Sequence, residues 1–147
     1  MAARKSLEDL VAVRIVRIAE VVARLASQTF EARFSLRNTD LRLMNLLDGK
    51  EGVTVNEIAR RAHVDKAWVS RCLRELERAG LVARRGHGPD SRLRVVSLSA
   101  KGRALLERVR PLAAAHEREL LAGIDATGFK AQLDRLLRNA DTMLAGE

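Results

Sequence analysis

Apolar residues recur at helical spacing along most of the chain, and one stretch breaks the rhythm. From Ser6 to about Gln28, Leu7, Leu10, Val11, Ile15, Ile18, Val22 and Leu25 form a broad stripe, and Ser6 followed by Asp9 resembles a capping pair. A helix of that length needs a tertiary or quaternary partner to bury its stripe. "NTDLRLMNLLDG" predicts a shorter second helix stopped at Gly49. "TVNEIARRA" opens a third with Thr54 and carries Glu57 three residues on, a capping-box pattern. After a tight turn, Asp65 caps a fourth helix that runs to about Ala79 and ends at Gly80. There the period shortens. "LVARR" and "LRVVSLS" are β-rich and flank "GHGPDS", which predicts a two-stranded hairpin with a mobile tip. Ser99 caps a long helix through about Leu121. The final helix, near Thr127 to Leu144, aligns Phe129, Leu133, Leu136, Leu137, Ala140 and Leu144. The predicted class is mainly α with one β-hairpin.

The first and last helices are too apolar to stand in water. Either they fold onto each other within one chain, or they join two chains in a homodimer, the commonest arrangement of soluble oligomers. Pro111 falls inside the long penultimate helix, where a missing N–H predicts a bend. Such a bend shapes a cavity or simply fits the helix around a neighbour. His116, just over one turn on, is the candidate residue for an effector pocket there.

Composition narrows the classes. With 147 residues, 47% of them hydrophobic, the chain has material for one ordinary domain, and disorder is excluded. Lys and Arg number 27 against 19 Asp and Glu, a net charge of +8. Most of that excess lies between Arg60 and Arg94, with ten Lys and Arg against four Asp and Glu. A polyanion is the partner such a balance favours, although a plain solvated basic surface has it too. One cysteine leaves no intrachain disulfide and points to a reducing compartment. Asp9, Arg14, Arg17 and Glu20 interrupt the apolar N-terminus, so neither a secretory signal nor a membrane span is expected. The expected location is the cytoplasm, with no membrane partner.

Candidate chemistry concentrates on the fourth helix. Val69, Cys72, Leu73 and Leu76 make its inward face. Ala67, Trp68, Arg71, Arg74 and Glu75 lie away from that face, with Lys66 and Ser70 beside the outward N-terminal part. Trp68 sits on the shoulder of the stripe, placed either to contact DNA or to pack on the preceding helix. Two short helices joined tightly, the second with a basic exposed face, suit entry into the major groove of double-stranded DNA. Arg71 can fork onto guanine, while Lys66 and Ser70 can reach base edges or phosphate. At the hairpin, Arg84 and Arg85 stand on one side of the tip and Arg92 on the other, positions from which arginine reaches a minor groove. Asp90 would oppose DNA unless it pairs with a nearby arginine and holds the tip. His87 is either a solvent-exposed loop residue or a DNA contact. Cys72, on the inward face, reads as a core thiol. His63, His87 and His116 are too scattered to form a metal motif, and the glycines match no phosphate or dinucleotide loop. No catalytic residue, metal ligand or cofactor is expected.

These motifs resemble the MarR family of winged-helix transcription regulators. "VSR", the following "L…LE" and "GLVARR" are similar to the family's recognition helix and first wing strand. "DSR" at Asp90 to Arg92 is similar to its Asp-x-Arg wing motif, and "LSAKG" to the opening of its long dimer helix. The resemblance implies a winged helix-turn-helix over residues 35–99, flanked by a helical dimerisation region formed by residues 1–34 and 100–147. It implies a homodimeric repressor on a pseudo-palindromic operator, released by a small aromatic or phenolic effector. Arg92 would be the wing arginine and Asp90 its structural partner. The alternative is a winged-helix protein–protein interaction module without specific DNA binding. Two departures stand out: Arg37 precedes the second helix where the family often has threonine, and Ala67-Trp68 replaces a frequent Ser-Thr.

Overall fold

In a computed structural model, residues 6–86 and 94–146 are described. Six α-helices and a three-stranded antiparallel sheet account for most of them. In chain order these are α1 (Val11–Phe34), α2 (Asn38–Leu47), β1 (Val53–Thr54), α3 (Val55–Ala62), α4 (Lys66–Arg78), β2 (Val82–Gly86), β3 (Arg94–Leu98), α5 (Ala100–Leu120) and α6 (Ala126–Ala145). The described residues form two compact units that divide between Val109 and Arg110, inside α5.

The first unit holds the core. Leu36, Leu43, Met44, Leu47, Ile58, Val69, Leu73 and Val96 are fully buried. They come from the loop after α1, from α2, α3 and α4, and from β3. Each such side chain contributes about 1.5–3 kcal/mol on leaving water, so the three short helices are held chiefly by this shared interior. Ser99 joins the sheet to α5: its Oγ donates to the Gly80 carbonyl at 2.6 Å and accepts the Gly102 N–H at 2.9 Å. Gly102 is buried because α5 begins against the chain at Leu81. A Cβ there would lie 2.0 Å from the Leu81 carbonyl oxygen.

In the second unit α5 continues through Pro111, and Lys130 of α6 pairs with Glu117 of α5 at 2.8 Å. His116 is half-buried on this part of α5. No residue of α6 is buried, and Phe129, Leu133, Leu136, Leu137, Met143 and Leu144 are exposed.

Two expectations need correction. The sheet has three strands rather than two, ordered β1-β3-β2. Val53 and Thr54 pair with Val96 and Val95, and a two-residue strand is too short to show alternation in the sequence. The first helix is also differently bounded. A short 3-10 turn at Leu7–Asp9 precedes it, Leu10 is extended, and α1 runs on to Phe34. Ser6 does cap the turn by accepting the Glu8 N–H, but Asp9 pairs with Arg14 at 3.0 Å. Ala26 and the buried Phe30 continue the apolar stripe past the polar "SQT", so the helix stops only where Ser35 turns left-handed at φ 53°.

Candidate nucleic-acid interface

The helix-turn-helix is built by two caps in succession. At the end of α3, His63 takes a left-handed conformation, φ 51°, and Val64 N–H reaches back to the Ala59 carbonyl at 3.1 Å. This closing pattern uses the last free carbonyls of α3 within two residues. Asp65 then starts α4 by accepting the Trp68 backbone N–H at 2.8 Å. The turn is therefore tight because one helix is capped where the next begins. Arg42 of α2 also donates to the Ala62 carbonyl, which ties the end of α3 to the helix beneath. At its far end α4 is closed by Gly80, φ 72°, with Leu81 N–H on the Leu76 carbonyl at 2.9 Å.

With Val69, Cys72, Leu73 and Leu76 buried, the opposite side of α4 is fixed by helical geometry. Ala67, Arg71, Arg74 and Arg78 form one exposed row along it, with Lys66 exposed at its start. Trp68 and Ser70 are half-buried and occupy the two flanks. Burial pushes the Cys72 thiol above its ordinary range, which suits a packing residue rather than a reactive one.

The two acids of α4 both have basic partners. Glu75 accepts from Arg37, whose guanidinium also forks onto Asp40 at 2.9 and 2.8 Å. Asp40 is only 6% exposed, and its Oδ2 additionally accepts the Arg37 backbone N–H at 3.0 Å. The hydrogen bonds to Asp40 and then to Glu75 hold the Arg37 guanidinium still more firmly protonated than usual. Arg37 thus stands at a helix start without a capping hydroxyl, and Asp40 supplies the cap from three residues on. On the other flank, Glu77 Oε2 lies 3.2 Å from Arg84 Nε on β2. This is a charge contact: Arg84 Nε and Nη2 are buried but make no directed hydrogen bond to a described residue.

The sequence-predicted candidates therefore separate. Lys66, Arg71 and Arg74 share the exposed side of α4, with Ser70 and Trp68 bordering it. Arg85 is exposed on β2, whereas Arg84 is half-buried against α4. His87, Asp90 and Arg92 lie outside the described residues. His116 belongs to the second unit. Arg37, Asp40, Glu75 and Glu77 were not singled out by sequence as positioning groups. An acid three residues after Arg37 was a usable signal for the first pair, but Glu75 is 38 residues from Arg37. Among the described residues no group of three or more His, Cys, Asp or Glu is placed to hold a metal ion, and no helix is long and apolar enough to cross a membrane.

Known proteins share this fold. The model of the MarR family matches residues 35–93. The uncharacterized HTH-type transcriptional regulator YdgJ of Bacillus subtilis is 29% identical over 109 residues, which span 74% of this chain and 66% of that protein. The HTH-type transcriptional repressor Mb2911 of Mycobacterium bovis is 33% identical over 96 residues, 63% of this chain and 69% of the repressor. In fold, the chain is similar to MepR of S. aureus, solved in complex with DNA. The TM-score is 0.78 at 24% identity, covering 92% of this chain and 99% of that one. The fold is thus that of a known group, and the chain belongs to the MarR family of winged-helix transcriptional regulators.

Proposed function

We propose that this regulator is a sequence-specific DNA-binding repressor, acting as a homodimer on a pseudo-palindromic operator in the cytoplasm. The observation that carries the reading is the exposed row on α4, with Arg71 and Arg74 on the side away from the buried face of Val69, Cys72 and Leu76. A helix so anchored can lay that row in a major groove, Arg71 reading a guanine edge while Lys66, Ser70 and Arg74 take base edges or phosphates. Trp68, half-buried on a flank, is placed to touch sugar or base at the groove wall. Arg85, and Arg92 beyond the described strand, supply the wing contact, with Asp90 holding the tip. Arg84 serves this surface from within, pinned to Glu77.

Support for the dimer comes from exposed apolar faces. Leu10, Val11, Val13, Val16, Ile18, Val21 and Leu25 on and before α1 are all at least 43% exposed, and α6 adds its own stripe. Exposed apolar residues in such number mark an interaction site. The family resemblance supports a small aromatic or phenolic effector, and the place of His116 beyond Pro111 makes it the candidate residue for that effector's pocket. The repressor named among the relatives supports the direction of regulation. The family is one of transcriptional regulators and not of enzymes.

Arg71→Ala tests the reading. On a duplex selected by the wild-type protein from a randomised pool, the substitution should weaken binding by about 1–3 kcal/mol and erode discrimination against altered duplexes. If affinity and the ranking of duplexes both stay as in the wild type, Arg71 is not a base-reading residue. A protein that retains its fold and its dimer but selects no duplex would favour the interaction-module alternative.

A further inference from the structure

We infer that Arg37 is a specificity-setting positioning residue, which fixes the rotation of α4 about its own axis through Glu75. The inference rests on the DNA-binding reading above. Along α4 the flank bearing Glu75 also bears Trp68, seven residues earlier, and the opposite flank bears Glu77. Two residues apart on a helix are separated by roughly 200°, so Glu75 and Glu77 face opposite sides of the exposed row. Arg37 from the start of α2 holds the first, and Arg84 from β2 lies against the second. The buried contacts of Val69 and Leu73 set how deep α4 sits. The two lateral charge contacts add to the packed face in resisting its rolling, and of the two only that from Arg37 is a directed hydrogen bond.

Arg37 is suited to the task because its own position is over-determined. Asp40 is buried, accepts from the Arg37 backbone N–H, and takes a forked pair from the side chain. The guanidinium plane is thereby fixed before it meets Glu75, and little side-chain freedom remains to be lost. The Arg37–Glu75 pair is exposed and adds little to stability, so its loss in Glu75→Ala should act on geometry, whereas Arg37→Ala also leaves the buried Asp40 without its partner and should lower the unfolding midpoint. With side chains reaching roughly 5–6 Å from the helix axis, a 10° roll moves their tips by on the order of 1 Å. A forked contact from Arg71 to a base edge tolerates much less than that. The same pairing engages an acid that would otherwise stand unpaired next to phosphate.

The experiment compares wild type, Arg37→Ala, Arg37→Lys, Glu75→Ala and the Arg37→Ala/Glu75→Ala double variant on two duplexes. One is the duplex selected by the wild type and the other an unrelated sequence, and unfolding midpoint and dimer mass are recorded alongside. Each variant should lose about tenfold in preference for the selected duplex, the size of a typical contact coupling, and the double variant should lose no more than a single one. Affinity for the unrelated duplex should hold steady, or rise for Glu75→Ala. Lysine should not rescue, because it keeps the charge but not the fork. Glu75 is an exposed helix position, so Glu75→Ala keeps the test open if Arg37→Ala fails to fold. The inference is overturned if Arg37→Lys behaves as wild type, or if Arg37→Ala weakens and Glu75→Ala tightens both duplexes alike, since charge alone would then suffice. It is overturned equally if the variants select as the wild type does. A wild-type protein that selects no duplex would bring down the DNA-binding reading itself, a result distinct from all of these.

Discussion

Single residues carry the junctions of this fold. Gly102 is the clearest case, since the carbonyl of Leu81 fills the space where a side chain would begin. Gly102→Ala should therefore destabilise the protein by about 1–3 kcal/mol, the range for overpacked sites, despite alanine's better helix propensity. A denaturant titration checks this, and an unchanged or higher midpoint would show that α5 can back away from Leu81. The glycine was legible in "LSAKG" as part of a family-like motif. Its physical reason was not, because the crowding group belongs to a residue 21 positions earlier. Asp65 and Thr54 behaved otherwise. Each caps through a backbone N–H three residues on, at 2.8 and 3.2 Å, and both caps could be read from local pattern.

At the scale of elements, periodicity located all six helices because each commits an apolar stripe or a cap that repeats every three to four residues. It could not find β1, whose two residues gain strand form only by pairing with β3. Nor could it find the link from α2 to α4, which joins groups with no sequential relation. The stripes of α1 and α6 pose a different question, since they are apolar yet exposed, with Ile18 at 56% and Leu137 at 54%. A homodimer that buries them needs roughly 1,000 Å² or more of total interface. Light scattering at micromolar concentration should give twice the chain mass of 16.3 kDa. Ile18→Glu with Leu137→Glu should shift it toward the monomer, because an unpaired carboxylate is costly to bury. A wild type that stays monomeric while binding its operator tightly would contradict the dimer.

Across the whole molecule, the excess of +8 is distributed with purpose. Arg60 and Arg61 pair with Glu57, Arg37 with Asp40 and Glu75, and Arg84 with Glu77. Lys66, Arg71, Arg74 and Arg85 stay exposed. Net charge was legible in the composition, but not this division between cations that build the lobe and cations displayed by it. Displayed charge alone would give salt-sensitive binding to any duplex. A helix held in one orientation should give preference as well. The most direct test is a competition titration of the wild-type protein between its selected duplex and a scrambled one, at two salt concentrations. Sequence-specific recognition predicts a preference on the order of 10³ or more for the selected duplex, retained while affinity for both falls as salt rises. Equal affinity for the two duplexes at both salt concentrations would contradict it.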